Sequence, residues 1–168
     1  QRDNAIVAIA VLGALRQHGF AVDEAAIRQA LTDVRWPGRL EHLRHGTTEI
    51  LLDAAHNPAG ARALAVYLRD SGWTDATLVF GAMSDKNARG MLAALMPVTR
   101  RVICTTPATA RATPAHALAG VASSLDDTGD VEIVEDPTAA LERACAISRR
   151  VVVAGSIFLV GPLRGILR

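Results

Sequence analysis

Asp53 and His56 stand at the point where a short aliphatic run, Ile50-Leu51-Leu52, meets the helix start Asn57-Pro58. Asn caps the free N–H groups of a helix and Pro suits its first position, so both side chains fall at a strand-to-helix junction. In open α/β sheets that corner, beside the positive end of a helix dipole, is where ligands bind, anionic ones especially. A carboxylate there can bind ribose hydroxyls, orient a substrate amine or hold a metal through water. The plainer alternative is that Asp53 caps a turn and His56 packs on the sheet edge. Asp, His, Asn and Pro together, in the strand-to-helix context, favour function.

Arg39 follows the breaker Trp36-Pro37-Gly38 and is a rigidly placed cation whose guanidinium could bridge phosphates; a surface arginine opening an edge strand is the competing reading. In Gly81-Ala82-Met83-Ser84-Asp85-Lys86, helix capping accounts for Ser84 and Asp85, and Lys86 is left to meet a carboxylate or phosphate. Gly155-Ser156 follows a later strand, where a small residue permits close backbone approach to a ligand. The chain has no Gly-x-x-x-x-Gly-Lys-Ser/Thr phosphate loop, no Gly-x-Gly-x-x-Gly and no Gly-x-Ser-x-Gly elbow. His18, His42, His45 and His116 lack ligand spacing and read as solvated; no metal site is expected.

The elements that must position these residues follow from the apolar pattern. Asn4 to Gln17 and Asp23 to Leu31 read as a helical hairpin, the tail of a preceding domain spanning residues 1–35. From 36 to 168, short apolar strands alternate with helices: a hairpin over Arg39–Arg44 and Glu49–Leu52, strands at Thr77–Phe80, Arg101–Cys104, Val131–Val134 and Val151–Ala154, and helices from Pro58, Asn87, Pro114 and Asp136. Such β-α-β units predict an α/β, Rossmann-like fold, a mostly parallel twisted sheet with helices on both faces. The apolar run Ile157 to Val160 and the tail to Arg168 carry no assignment.

Composition narrows the function classes. The 168 residues are 50% hydrophobic with a formal charge of only +1, which argues against disorder and against a nucleic-acid partner. No run approaches the roughly 20 apolar residues of a membrane span. Cys104 and Cys145 lie far apart without metal-like spacing, as expected of a reduced, cytoplasmic protein. The chain opens on Gln1, directly in a helical pattern, and is expected to be a piece of something longer.

Taken in order, the motifs Gln1-x-x-Asn4-Ala5, Trp36-Pro37-Gly38-Arg39-Leu40-Glu41, Leu52-Asp53-x-Ala55-His56-Asn57-Pro58, Asp85-Lys86 and Gly155-Ser156-x-Phe158-Leu159-Val160-Gly161 resemble the C-terminal portion of the folylpolyglutamate synthase/dihydrofolate synthase family, in the Mur ligase superfamily. The resemblance spans nearly the whole chain. It implies an ATP-dependent ligase that joins L-glutamate to a folate or dihydropteroate carboxylate through an acyl phosphate. It implies that Gln1, Asn4, Arg39 and Asp53 serve the nucleotide, that His56, Lys86 and Ser156 serve glutamate, and that Asp53, His56 and Arg39 are the catalytic candidates. The family's phosphate loop and Mg2+ ligands belong to a larger N-terminal domain, so this chain alone is expected to be inactive. Two departures stand out: Ala54 replaces the usual Gly, and Pro114-Ala115-His116-Ala117 lacks the Arg often found after the Pro, so that loop is given no ligand contact. A peptidoglycan-precursor Mur ligase domain, without its Asp-Asn-Pro-Arg signature here, and a non-catalytic α/β binding module are the alternatives.

Overall fold

Ile50–Leu52, Leu78–Phe80, Val102–Cys104 and Val151–Ala154 are continuous apolar runs, the pattern of strands covered on both faces. In the computed structural model, which describes residues 2–125 and 130–167, each is the centre of a strand in one six-stranded sheet. The strands are β1 (Glu41–His45), β2 (Thr48–Asp53), β3 (Thr77–Phe80), β4 (Arg101–Cys104), β5 (Asp130–Ile133) and β6 (Arg150–Ala154), in the order β1-β2-β6-β3-β4-β5. β1 pairs antiparallel with β2 through a turn at Gly46 (φ +57°), and all other pairs are parallel. β1 begins later than the sequence predicts, because Gly38 and Leu40 take positive φ (68° and 45°) and keep Gly38–Leu40 in a turn.

Alternate side chains sort to opposite faces of the sheet. Leu51, Leu78, Phe80, Val102 and Val152 pack beneath α3 (Pro58–Asp70), α4 (Ala88–Leu95) and α5 (Ala115–Ser123). Ile50, Leu52, Val79, Ile103, Val151 and Val153 pack against α6 (Pro137–Ile147) and α7 (Ile157–Ile166). Each fully buried aliphatic side chain contributes about 1.5–3 kcal/mol relative to exposure. The segment after Gly155 is helical: the Ser156 hydroxyl accepts from Phe158 N–H, and α7 continues past the interior Pro162 to Ile166.

Residues up to Trp36 form a separate unit of two helices, α1 (Arg2–Gln17) and α2 (Glu24–Asp33), the second capped by Asp23. Ile6, Val7, Ile9 and Val11 of α1 are exposed. The unit Pro37–Arg168 holds the sheet. Among the described residues, no helix is long and apolar enough to cross a membrane.

β6 is inserted between β2 and β3, and its following helix, α7, leaves on the face opposite to α3 and α4. This reversal opens a crevice at the carboxyl ends of the strands. Those ends are level, since Asp53 and Phe80 both pair with Ala154, and Phe80 with Cys104. Gly155 (φ +112°) sits at the bottom of the crevice, where an added Cβ would lie 2.4 Å from the Gly81 carbonyl oxygen and 2.8 Å from the Phe80 ring. Gly155→Ala is therefore expected to cost about 2–5 kcal/mol, from overpacking and a disfavoured φ. Urea unfolding would read this as a lowered midpoint, and an unchanged midpoint would contradict the close packing.

Candidate functional site

The crevice contains a cleft of about 240 Å³, built from loops after three strands. The β2 exit contributes Ala54 and His56, the β3 exit Met83, Asp85 and Lys86, and the β6 exit Ser156, Ile157 and Phe158; Arg39 and Arg111 also line it. Local sequence explains why these loops turn where they do. Asn57 accepts from Gly60 N–H (2.8 Å) and starts α3, and Asn87 accepts from Gly90 N–H (2.8 Å) and starts α4. Ser156 starts α7. Three helices thus begin immediately beyond the cleft loops, and their N-terminal dipoles favour negative charge.

Asp53 is placed differently from His56. Asp53 is only 6% exposed and is not among the residues lining the cleft; its carboxylate is engaged by backbone amides. It accepts from Leu40 N–H at 3.0 Å and from Ala55 N–H at 2.9 Å, tying the Gly38–Leu40 turn to the β2 exit. The Ala54 amide adds a bond to the Gly38 carbonyl (2.7 Å), and Glu41 accepts from Gly38 N–H (2.7 Å) and Arg164 Nε (2.7 Å). This lattice fixes Arg39 at the cleft wall, half-buried. Burial raises the Asp53 pKa above its ordinary value, against the lowering effects of the two amides and of Arg39.

His56 is exposed, and its Nδ1 lies 3.0 Å from the Ala54 carbonyl oxygen. A carbonyl only accepts, so Nδ1 carries the proton and Nε2 of the neutral ring is an acceptor. Ser156 is buried with its hydroxyl engaged in the α7 cap, so it contributes to the cleft by starting that helix there. Lys86 Nζ pairs with Asp85 Oδ2 at 2.9 Å. That hydrogen bond, with help from Arg111, holds the Asp85 carboxyl below its ordinary pKa. The sequence expectation that Asp85 and Ser84 are explained by capping is overturned, because Asn87 caps α4.

Of the sequence candidates, Arg39, His56, Lys86 and Ser156 come together on one cleft, and Asp53 buttresses it. Asn4 lies in α1 of the helical unit, and Gln1 lies outside the described residues. Arg111 was missed; it lies just before Pro114-Ala115-His116-Ala117, the stretch to which the sequence assigns no ligand contact. Its backbone is anchored by Ser84 N–H donating to its carbonyl (2.8 Å) and by the Met83–Ala112 bridge. Its guanidinium lies 5.8 Å from the Phe158 ring centroid, within cation–π range. The available signal was a long 105–114 connection with one charged residue, since βα loops usually run 2–6 residues. His42 is exposed, as read from the sequence, and its Nε2 lies 2.7 Å from the Tyr67 hydroxyl while its ring meets Trp73 edge-on.

Residues 38–157 match the family model of the Mur ligase glutamate ligase domain. The chain is 36% identical over 187 residues to the dihydrofolate synthase/folylpolyglutamate synthase of Mycobacterium tuberculosis, covering 98% of this chain and 37% of that protein. A Mycobacterium tuberculosis folylpolyglutamate synthase solved with ADP and AMPPCP has a TM-score of 0.80 at 32% identity, over 89% of this chain and 36% of that one. A bifunctional folylpolyglutamate synthase/dihydrofolate synthase solved with Mn, AMPPNP and L-glutamate has a TM-score of 0.78 at 26% identity, over 93% and 37%. The chain spans between 19% and 38% of the length of the first four curated relatives it matches.

The buried Asp53 carboxylate generates a stability prediction. Because its pKa is raised on folding, the folded chain holds its proton to higher pH than the unfolded chain does. Stability is therefore lost as pH rises from the ordinary value of 3.8 through the raised one. Asp53→Asn lacks this loss, so the difference in unfolding free energy should move in the variant's favour across that window. Urea melts of both proteins at a series of pH values measure it; a difference that stays flat or moves the other way contradicts the assignment.

Proposed function

Because the chain belongs to the Mur ligase family, carrying its glutamate ligase domain, we propose that it is the glutamate-binding, nucleotide-facing part of an ATP-dependent ligase that joins L-glutamate to a folate or dihydropteroate carboxylate. The carrying observation is the cleft at the sheet's reversal point, where Arg39, Lys86 and Arg111 bring three cations to a wall ringed by helix N-termini. A dicarboxylic amino acid needs such cations, and phosphates need a fixed guanidinium. In the ligase reaction ATP supplies the phosphoryl group that activates the acceptor carboxylate, and the amine of glutamate displaces phosphate to form the amide.

In this reading Lys86 and Arg111 hold substrate carboxylates, and the start of α7 at Ser156 adds its dipole. His56 presents Nε2 as an acceptor toward the amine. Arg39 meets the nucleotide's phosphates, neutralising charge by position. Asp53 keeps Arg39 in place on the nucleotide side. Gln1 and Asn4 are assigned to the adenine side by family resemblance alone. The helical unit 1–35 is read as the end of the ATP-binding domain, whose phosphate loop would supply the Mg2+ site. No phosphate loop occurs in the 168 residues, so the isolated chain should not complete the reaction. Both cysteines are free, which suits a reducing cytoplasm.

Calorimetric titration of L-glutamate into the chain and its variants tests the reading. Lys86→Ala should weaken binding about 10- to 100-fold, the scale of one charge-assisted hydrogen bond, whereas Asp136→Ala at the distant α6 cap should not. Equal glutamate binding by the parent and Lys86→Ala would refute the site.

A further inference from the structure

Asp85 is the one carboxylate among the residues lining the cleft, against three cations. It is not a helix cap, since Asn87 takes that role, and its side chain remains 53% exposed. Its loop is fixed from several directions: Lys86 N–H donates to the Met83 carbonyl (3.0 Å), Ala88 N–H to the Lys86 carbonyl (2.9 Å), and Ser84 N–H to the Arg111 carbonyl (2.8 Å). A carboxylate set among cations weakens the attraction of the site for any anion, which makes it a liability in a pocket that only binds carboxylates. It becomes useful if the ligand carries a positive group as well.

We infer that Asp85 is a specificity residue that receives the α-ammonium of the incoming amino acid, so that the cleft selects an amino acid over a plain dicarboxylate. The inference rests on the cleft being the glutamate site. Lys86, now 2.9 Å from Asp85, would turn its Nζ to a substrate carboxylate while Asp85 exchanges that partner for the ammonium, so each charge keeps a counterpart. Before binding, Lys86 and Arg111 hold the Asp85 carboxyl below its ordinary pKa, and an ammonium in place of Lys86 would favour the ionised form in the same way. His56 Nε2 can also accept from an ammonium, but an imidazole supplies no negative charge to reward one.

The sign of the effect separates this role from simple structural support. Glutarate has the two carboxylates and carbon chain of glutamate without the amine. With the parent chain, L-glutamate should bind at least about tenfold more tightly than glutarate. Asp85→Asn should bring the two within about threefold by weakening glutamate, while glutarate binding holds or tightens because a repelling charge has gone. Calorimetry with both ligands on both proteins reads this directly. If Asp85→Asn keeps the preference, or if His56→Ala alone abolishes it, Asp85 does not receive the ammonium, though the cleft remains the glutamate site. If the parent binds neither ligand, the glutamate reading of the cleft fails and this inference with it.

Discussion

The buried Asp53 carboxylate, shared by the amides of Leu40 and Ala55, is the interaction on which the cleft depends. Leu40 has a positive φ that a branched side chain rarely adopts, and the turn is held open by that hydrogen bond and by Gly38 beside it. Release of Asp53 would free the Gly38–Leu40 turn, the direction of Arg39 and the path from β2 into α3 at once. The carboxylate is expensive to bury, as its raised pKa shows. Two backbone donors and a nearby guanidinium offset part of that cost.

From this anchor the rest of the architecture is a matter of alignment. The strands of the parallel sheet end in register, so the loops after β2, β3 and β6 leave from one level. Reversal of strand order at β6 separates the helices that follow, and the space between their N-termini is the cleft. Gly155 lets the β6 exit start against the Gly81 carbonyl of the β3 exit, and Gly81 in turn leaves room for Thr105 and Pro107 of the next loop. Membership of the Mur ligase family fits this geometry, in which the charged side chains of the cleft sit on loops and turns rather than on strands.

Much of this was legible in the sequence because it is encoded locally. Leu51-Leu52-Asp53 running into Asn57-Pro58 specifies a buried strand, a junction and a capped helix within ten residues. Asp136-Pro137 likewise opens α6 as read. What escaped was decided by competition or by distance. Asp85 and Asn87 could each cap α4, and only the fold shows that Asn87 does. Ile157 to Val160 has an apolar run compatible with strand or helix, and the Ser156 cap decides it. Arg111 reaches the cleft because Met83 and Ala112 are bridged across 29 positions of sequence, a pairing with no local signature.

The separation between the level strand ends and the loops that rise from them has an evolutionary consequence. Most of the buried strand side chains lie below that row, and the charged groups of the cleft lie above it. Asp85, Lys86 and Arg111 are exposed, so substitutions there change the charge of the cleft without drawing on the packing that keeps the domain folded. Foldedness and cleft charge are separately mutable here. A lineage could change the charge of the cleft by drift in a few exposed loop positions while the sheet stays as it is.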